Sequence, residues 1–307
     1  MRGFMCIMRK TKTIRELNKV TSFNEYGAIK RIAVRSPAAS FVSDDKIKAE
    51  WEKLRFHSKP DYSEAASEHA SFIRILVNSG ASVIDLPTAD SLTLDAIYTR
   101  DALLVSPKGL ILCHMGRASR RGEPTHNAGL LELAGEAVLG EITAPGTLEG
   151  GDFIWLNDKA CAVGLGPRTN QAGIDQLKGL LGDDVDVHVV PLPDPDHPDD
   201  VFHIMSMISP LDKDLALIYR PLMPDSFITW LEGHGVKFVE VPENEYIPMG
   251  CNVLALAPRD VLMLDRLPET KTRMEAAGCT VQTYKGDEIS RKGEGGPTCL
   301  TRPLTRE

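Results

Sequence analysis

The sequence predicts an α/β protein built from five β-rich units set around a common axis, and three observations carry that reading. Short apolar strand-like segments recur along the chain: "RIAVRSP" from Arg31, "DALLVSP" from Asp101, "GDFIWL" from Gly151, "HIMSMIS" from His203 and "CNVLALA" from Cys251. The last four begin at intervals of 50, 52 and 48 residues. Most units add a second strand after a short polar break and then a helical pattern. A period of about 50 residues mixing strands with one helix marks radially arranged modules. Such a unit is too β-rich for a doubly wound sheet and too helical for an all-β propeller.

Each element follows in order. The first interval is 70 residues, and its excess is a polar, helix-like insertion around "SDDKIKAEWEKLRF". Second strands read as "GLILC", "ACAVGLG", "DLALIY" and "DVLML". Helices read as "NQAGIDQLKGLLG" and "SFITWLEGHG", the latter followed by the strand "VKFVEVP". No Gly-rich or Ser-rich linker interrupts the series, so residues 22–307 are expected to form a single catalytic domain. Residues 1–21 read as a poorly ordered N-terminal extension. The run "PDPDHPDD" at 193–200 reads as a solvated connection.

Bulk properties exclude several classes. With 42% hydrophobic and 25% charged residues over 307 positions, the chain reads as globular with a substantial core. A net charge of −8 argues against nucleic acid as a partner, because phosphate contacts need clustered Lys and Arg. No apolar run approaches the roughly 18 residues of a membrane span. The start, "MRGFMCIMRKTKTI", lacks the long apolar region and small-residue cleavage site of a signal peptide. The six cysteines are scattered without a C-x-x-C pair, which fits reduced thiols and a cytoplasmic setting. No metal and no cofactor are expected: phosphate-loop, dinucleotide and H-E-x-x-H patterns are all missing. The oligomeric state stays open, with a homodimer among the expectations.

Polar residues recur where the strands start or end: Asp101, Glu149, Asp152, His203, Asn252 and Cys299. In a ring of modules, equivalent strand ends converge, so these side chains are expected to meet in one central cavity. Each has an ordinary structural role open to it. Cys299, just after Gly295-Gly296-Pro297 in "RKGEGGPTCLTRP", could be a small buried hydrophobe. His203 could be a satisfied core histidine, and Glu149 and Asp152 in "GTLEGGDF" an acidic surface turn. "SRRGE" around Arg120 could be a charged loop, and Thr169 or Asn170 could simply cap the helix after Arg168. Together, a thiol, an imidazole, several carboxylates and two arginines suit one chemistry. The thiol attacks an electrophilic carbon, the imidazole moves protons, the acids hold a planar cation and the arginines hold a carboxylate. An amino acid carrying a guanidinium group fits that set, so a small guanidino substrate is the expected partner.

The order of segments then resembles the guanidino-group-modifying enzymes, most closely the dimethylarginine dimethylaminohydrolase family. The likeness runs through "IAVRSPAASFV", "KPDYSEAASEH", "YTRDALLV", "ASRRGE", "APGTLEGGD", "RTNQAG", "FHIMSM", "CNVLAL" and "EGGPTCL". It implies a five-bladed pseudosymmetric α/β propeller. It also implies Cys299 as nucleophile, His203 as general acid and base, and Glu149 as the carboxylate orienting His203. By the same resemblance, Asp95 and Asp101 grip the guanidinium while Arg120 and Arg168 bind the substrate carboxylate. Asp152, Met205 and Asn252 are secondary candidates. Residues 38–62 correspond to a lid, longer here and different in sequence, so no lid contact is carried over.

Three relatives compete for the substrate. Arginine deiminases and amidinotransferases carry an aspartate two residues after the histidine, where this chain has Met205. Without a carboxylate there, a methylated nitrogen is better served than an unsubstituted one. Hydrolysis of Nω-methylated arginine to citrulline is therefore expected. Against it, "YTRD" and the ending "GGPTCLTRPLTRE" look more like arginine deiminase, because the dimethylarginine enzymes usually place an acid where Arg100 stands. Arginine or another guanidine as substrate, amidino transfer, and a silent metabolite-binding homologue remain the alternatives.

Overall fold

The computed structural model describes residues 23–194 and 202–307. The expected extension at 1–21 and most of the 193–200 connection lie outside the described residues. Among the described residues, fifteen strands form five three-stranded sheets. The first blade begins with β1 (Ile29–Val34) and β2 (Ser82–Asp85). The second holds β3 (Leu103–Ser106), β4 (Gly109–Leu112) and β5 (Val138–Glu141). The third holds β6 (Phe153–Asn157), β7 (Ala160–Leu165) and β8 (Asp186–Pro191). The fourth holds β9 (Ile208–Asp212), β10 (Leu215–Ile218) and β11 (Lys237–Glu240), and the fifth β12 (Leu254–Ala257), β13 (Asp260–Leu264) and β14 (Thr280–Tyr284). The last strand, β15 (Arg302–Arg306), returns to the first blade.

Every blade repeats one pairing rule. Its middle strand runs antiparallel to one neighbour and parallel to the other, the parallel partner following a helical crossover. In four blades the antiparallel partner is the preceding strand, joined by a short turn. In the first blade it is β15, which pairs Ile29 with Arg306 and Ala33 with Arg302. The sequence suggests five αβ units, four of them with a second strand following the first. The first is instead completed by the C-terminus, which closes the ring and anchors the segment just after Cys299.

Local chemistry explains the helices. Ser43 accepts from Lys46 N at 3.2 Å to start helix Asp44–Glu50 in the expected insertion. Asp61 accepts from Glu64 N at 2.9 Å at the head of helix Tyr62–Asn78. Asn170 accepts from Gly173 N at 2.9 Å to start helix Gln171–Leu181, the capping role foreseen beside Arg168. The apolar face of helix Gln171–Leu181 packs on β6 and β7, whose side chains are almost wholly buried, while Ile47, Phe72 and Leu76 of the other two helices join a separate core with β1, β12 and β13. Among the described residues no helix is long and apolar enough to cross a membrane.

Candidate active site

The polar residues singled out in the sequence do not lie in the strands. They sit in tight turns immediately before them. His203 precedes a 3₁₀ turn at Ile204–Ser206, and β9 starts only at Ile208, a correction to the strand expected from His203 onward. Glu149 precedes a similar turn at Gly150–Asp152 that leads into β6. Cys299 lies in the turn before β15 rather than in a strand. A turn leaves its side chains free to face the axis, where ladder pairing would alternate them between two faces.

Glu149 and His203 are the tightest pair. His203 Nε2 lies 2.9 Å from Glu149 Oε2, and both residues are buried. Glu149 Oε1 accepts from the backbone N–H of Arg117 at 3.1 Å, and Arg168 Nη1 stands 3.6 Å away. Burial alone would raise the Glu149 carboxyl, but the His203 hydrogen bond and charge hold it below its usual range. Burial alone would lower His203, yet the carboxylates of Asp152, Asp101 and Glu149 hold it above its ordinary value. The pair is poised as imidazolium and carboxylate.

Asp152 works from behind. Its oxygens accept from Thr169 Oγ1 at 2.7 Å and from the Ile204 N–H at 3.0 Å, tying the turn after His203 to the third blade. Burial pushes its carboxyl up to about 6 despite those bonds. Gly151 explains the close approach of the two turns: a Cβ there would meet His203 Nδ1 at 2.5 Å and Asp101 Oδ1 at 2.8 Å.

Cys299 is held by Asn252, whose Nδ2 donates to Sγ at 3.2 Å. Asn252 Oδ1 accepts from Thr298 N and Oγ1, at 3.1 and 2.8 Å, so one amide sets the turn that carries Cys299. Gly296 lets that amide in, since a Cβ there would fall 2.4 Å from Asn252 Cγ. Arg100 braces the turn from the other side: its N–H donates to Cys299 O at 3.2 Å and its Nε to Thr298 O at 3.1 Å. Its guanidinium pairs with buried Glu25 at 3.1 Å. Burial, with Asp101 adding, raises the Cys299 thiol above its ordinary value, against the Asn252 and Thr298 hydrogen bonds.

Asp95, Asp101, Arg120, Glu149, Arg168, His203 and Cys299 line one narrow recess of about 30 Å³. The structure thus brings together seven of the ten candidates in a single hollow. Asp101 Oδ2 accepts from Arg120 Nη1 at 2.6 Å, while Oδ1 has no hydrogen-bond partner among the described residues and lies 3.9 Å from His203 Nδ1. Arg120 also donates to both oxygens of Glu123 and to Tyr98 O, so its donors are committed to holding Asp101 and Glu123. Asp95 pairs with Arg117 at 3.0 Å, and burial keeps its carboxyl raised even so. Asp101, Glu149 and His203 offer ligand atoms within 4.8 Å of one another, and the two carboxylates among them suit a cation.

Met205 and Asn252 face a second, larger cavity of about 420 Å³ that shares His203, Glu294 and Cys299 with the recess. Sequence reasoning missed four residues of this surround. Arg117 stands three positions before Arg120 in the same basic loop. Tyr98 opens the quoted "YTRD". Glu294, held at φ 60°, interrupts the glycine run and pairs with His57 at 2.9 Å. Phe202 precedes His203 directly. Tyr98, Glu294 and Phe202 stood inside the quoted segments "YTRD", "EGGPTCL" and "FHIMSM" without being singled out, and Arg117 alone lay just outside one.

A ring of five αβ blades with these groups at its centre defines a hydrolase of guanidino C–N bonds. The chain belongs to the family described as "N,N dimethylarginine dimethylhydrolase, eukaryotic", whose model matches residues 37–306. It is 26% identical to the N(G),N(G)-dimethylarginine dimethylaminohydrolase of Pseudomonas aeruginosa, over 89% of this chain and 98% of that one. It is 31% identical to an arginine deiminase of Mycobacterium marinum, over 54% of this chain and 48% of that one. Among solved structures, a mutant of the Pseudomonas aeruginosa enzyme complexed with citrulline matches with a TM-score of 0.72 at 23% identity, covering 91% of this chain and all 100% of that one. The N-terminal domain of a cyanobacterial arginine dihydrolase, bound to product, matches at 0.76 and 21% identity, covering 91% and 98%. The two structural likenesses bear on the fold.

Proposed function

We propose that this protein hydrolyses Nω-methylated arginine, releasing citrulline and a methylated amine through a covalent intermediate on Cys299. The recess supports this reading because its acids meet one flat cation from several sides. The guanidinium lies against Asp101, with Asp95 and Glu149 beside it, and the unpartnered Asp101 Oδ1 accepts one of its N–H groups. Arg168 takes the substrate carboxylate, with Arg120 adding charge while it holds Asp101 in place.

Binding of the cation activates the nucleophile. A thiol raised by burial and by Asp101 gains stability as thiolate once positive charge sits beside it. The sulfur lone pair attacks the guanidinium carbon, and the C=N electron pair moves to nitrogen. His203, held as imidazolium, gives its proton to the methylated nitrogen, the C–N bond breaks and the amine leaves. A thiouronium remains on Cys299. His203, now neutral, takes a proton from water as its oxygen attacks the same carbon, and expulsion of sulfur yields citrulline. Glu149 fixes the imidazole throughout and stabilises its charge.

The observation that carries the methylated substrate over free arginine is Met205. It is buried two residues after His203 and lines the larger cavity, where an unsubstituted nitrogen would find a thioether in place of an acceptor. The sole carboxylate among that cavity's described lining residues is Glu294, which is paired with His57. The test is colorimetric citrulline detection with arginine, monomethylarginine and asymmetric dimethylarginine. Citrulline from the methylated forms and little from arginine is expected. Citrulline from arginine alone would replace this reading with a deiminase.

A further inference from the structure

The two cavities that meet at Cys299 and His203 differ in size and chemistry. The recess of about 30 Å³ is walled by charged side chains. The larger one, about 420 Å³, is walled near the reacting groups by Phe202, Met205, Tyr246, Ile247, Pro248 and Met249. Its size falls within the roughly 300–1,000 Å³ typical of ligand pockets, lined mainly by apolar side chains with a few polar groups. Dimethylamine, the larger of the two amines the proposed reaction releases, would still leave most of that space unused.

The apolar wall is also built to be rigid. The Tyr246 ring stacks on Tyr219 with centroids 3.8 Å apart and planes 8° from parallel. Met249 is held at φ 67°, a conformation that non-glycine residues take infrequently and that clusters at ligand sites. Ile247 is 84% exposed at this cavity, an uncovered aliphatic side chain beside a pocket rather than on an open surface. On the substrate placement proposed above, with the amino-acid end toward Arg168 and the cation against Asp101, the substituted nitrogen would be directed to Met205 and the larger cavity.

We infer that the preferred substrates are arginines whose Nω substituent is an apolar group larger than methyl, an alkyl chain or an arylmethyl group, lodged between Met205 and Tyr246. This rests on the guanidino hydrolysis proposed above and names the leaving group it suits. The reaction balances as before: water supplies the carbonyl oxygen of citrulline, the C–N bond to the substituted nitrogen breaks, and a primary alkylamine departs carrying the proton from His203. The apolar wall then stabilises the substituent in both ground and transition states, while the charged recess still reads the amino acid.

The experiment compares wild-type, full-length protein on asymmetric dimethylarginine and on Nω-ethyl-, Nω-propyl- and Nω-benzyl-arginine, measuring citrulline and the released amine together. Each methylene buried should raise kcat/KM by roughly fourfold, so the propyl and benzyl compounds should match or exceed dimethylarginine. In Met205→Trp, which fills the cavity beside the reacting carbon, the benzyl-to-dimethyl ratio should fall about tenfold or more. Read as a ratio, the result is insensitive to the fraction of folded enzyme. Turnover of dimethylarginine with a drop of about tenfold or more on the propyl and benzyl compounds would overturn this inference and leave the parent reading intact. Turnover of the larger compounds without dimethylarginine would support it and correct the parent. Citrulline from none of them would end both.

Discussion

The charged recess and the apolar cavity share a cysteine, a histidine and a glutamate, yet they were built by opposite means. The recess assembles buried charges, and almost every one already has a protein partner: Asp101 with Arg120, Asp95 with Arg117, Glu149 with His203. Buried ions are tolerated only in such company. The apolar cavity relies on shape and on an apolar wall around Met205, Tyr246 and Ile247. On the proposed reading, the first region demands one charge pattern of its ligand and the second accepts whatever apolar group fits. Substrate class would then be set on one side of Cys299, and the identity of the leaving amine on the other.

The most damaging change falls on the residue both regions share. Cys299→Ser should lower citrulline formation by on the order of 10⁴-fold or more, with the circular dichroism spectrum unchanged. Appreciable residual turnover by folded protein would remove the nucleophile from the account. Next, Glu149→Gln strikes the recess alone. Loss of the carboxylate should cost about 10²–10⁴-fold in kcat, the range for a general acid–base group deprived of its support.

That variant also has a pH signature. His203 is held above its ordinary value partly by Glu149, so removing the negative charge makes the imidazolium easier to deprotonate. The alkaline limb of kcat, where the general acid is lost, should move to lower pH. The wild-type kcat/KM should peak above pH 7, because the Cys299 thiol is also raised. An optimum near pH 6, or an unmoved alkaline limb in Glu149→Gln, would contradict the pairing.

Met205→Asp puts an acceptor into the apolar side. It should shift the ratio of arginine to dimethylarginine turnover by about 10–100-fold toward arginine, through the unpaired-charge penalty against a methylated nitrogen. An unchanged ratio would mean that Met205 does not face the substituted nitrogen. The smallest effect is expected at the far end of the substrate. Arg168→Ala should raise KM about tenfold with kcat nearly preserved, having removed a binding contact that ground and transition states share. A fall in kcat with KM unchanged would move Arg168 from the carboxylate to the Glu149–His203 pair it already approaches.

These two regions were not equally legible in the sequence. Four of the blades were visible because each repeats a strand pair at a near-constant interval, and the recess because charged residues next to glycines stand out before apolar strands. The closing strand β15 was not, since pairing Ala33 with Arg302 joins opposite ends of the chain and leaves no local trace. His203 was placed in a strand because Ile204, Met205 and Met207 mimic a buried run, whereas Asp152 pins the turn through the Ile204 N–H. Arg100 looked like a specificity clue and turned out to brace the backbone of Thr298 and Cys299. The apolar cavity left the least trace. Phe202 and Met205 come from one segment and Tyr246, Ile247 and Met249 from another, and ordinary hydrophobic residues carry no mark of facing a ligand rather than a core.

The central claim is that sulfur at the junction of the two cavities forms a bond to the guanidinium carbon. Acid-quenching the enzyme during turnover of asymmetric dimethylarginine, followed by peptide mass spectrometry, tests it directly. The account predicts a substrate-derived thiouronium, with the amine lost, on the peptide containing Cys299 and on no other cysteine. Steady citrulline production with that peptide always unmodified, or an adduct carried by a different residue, would contradict it.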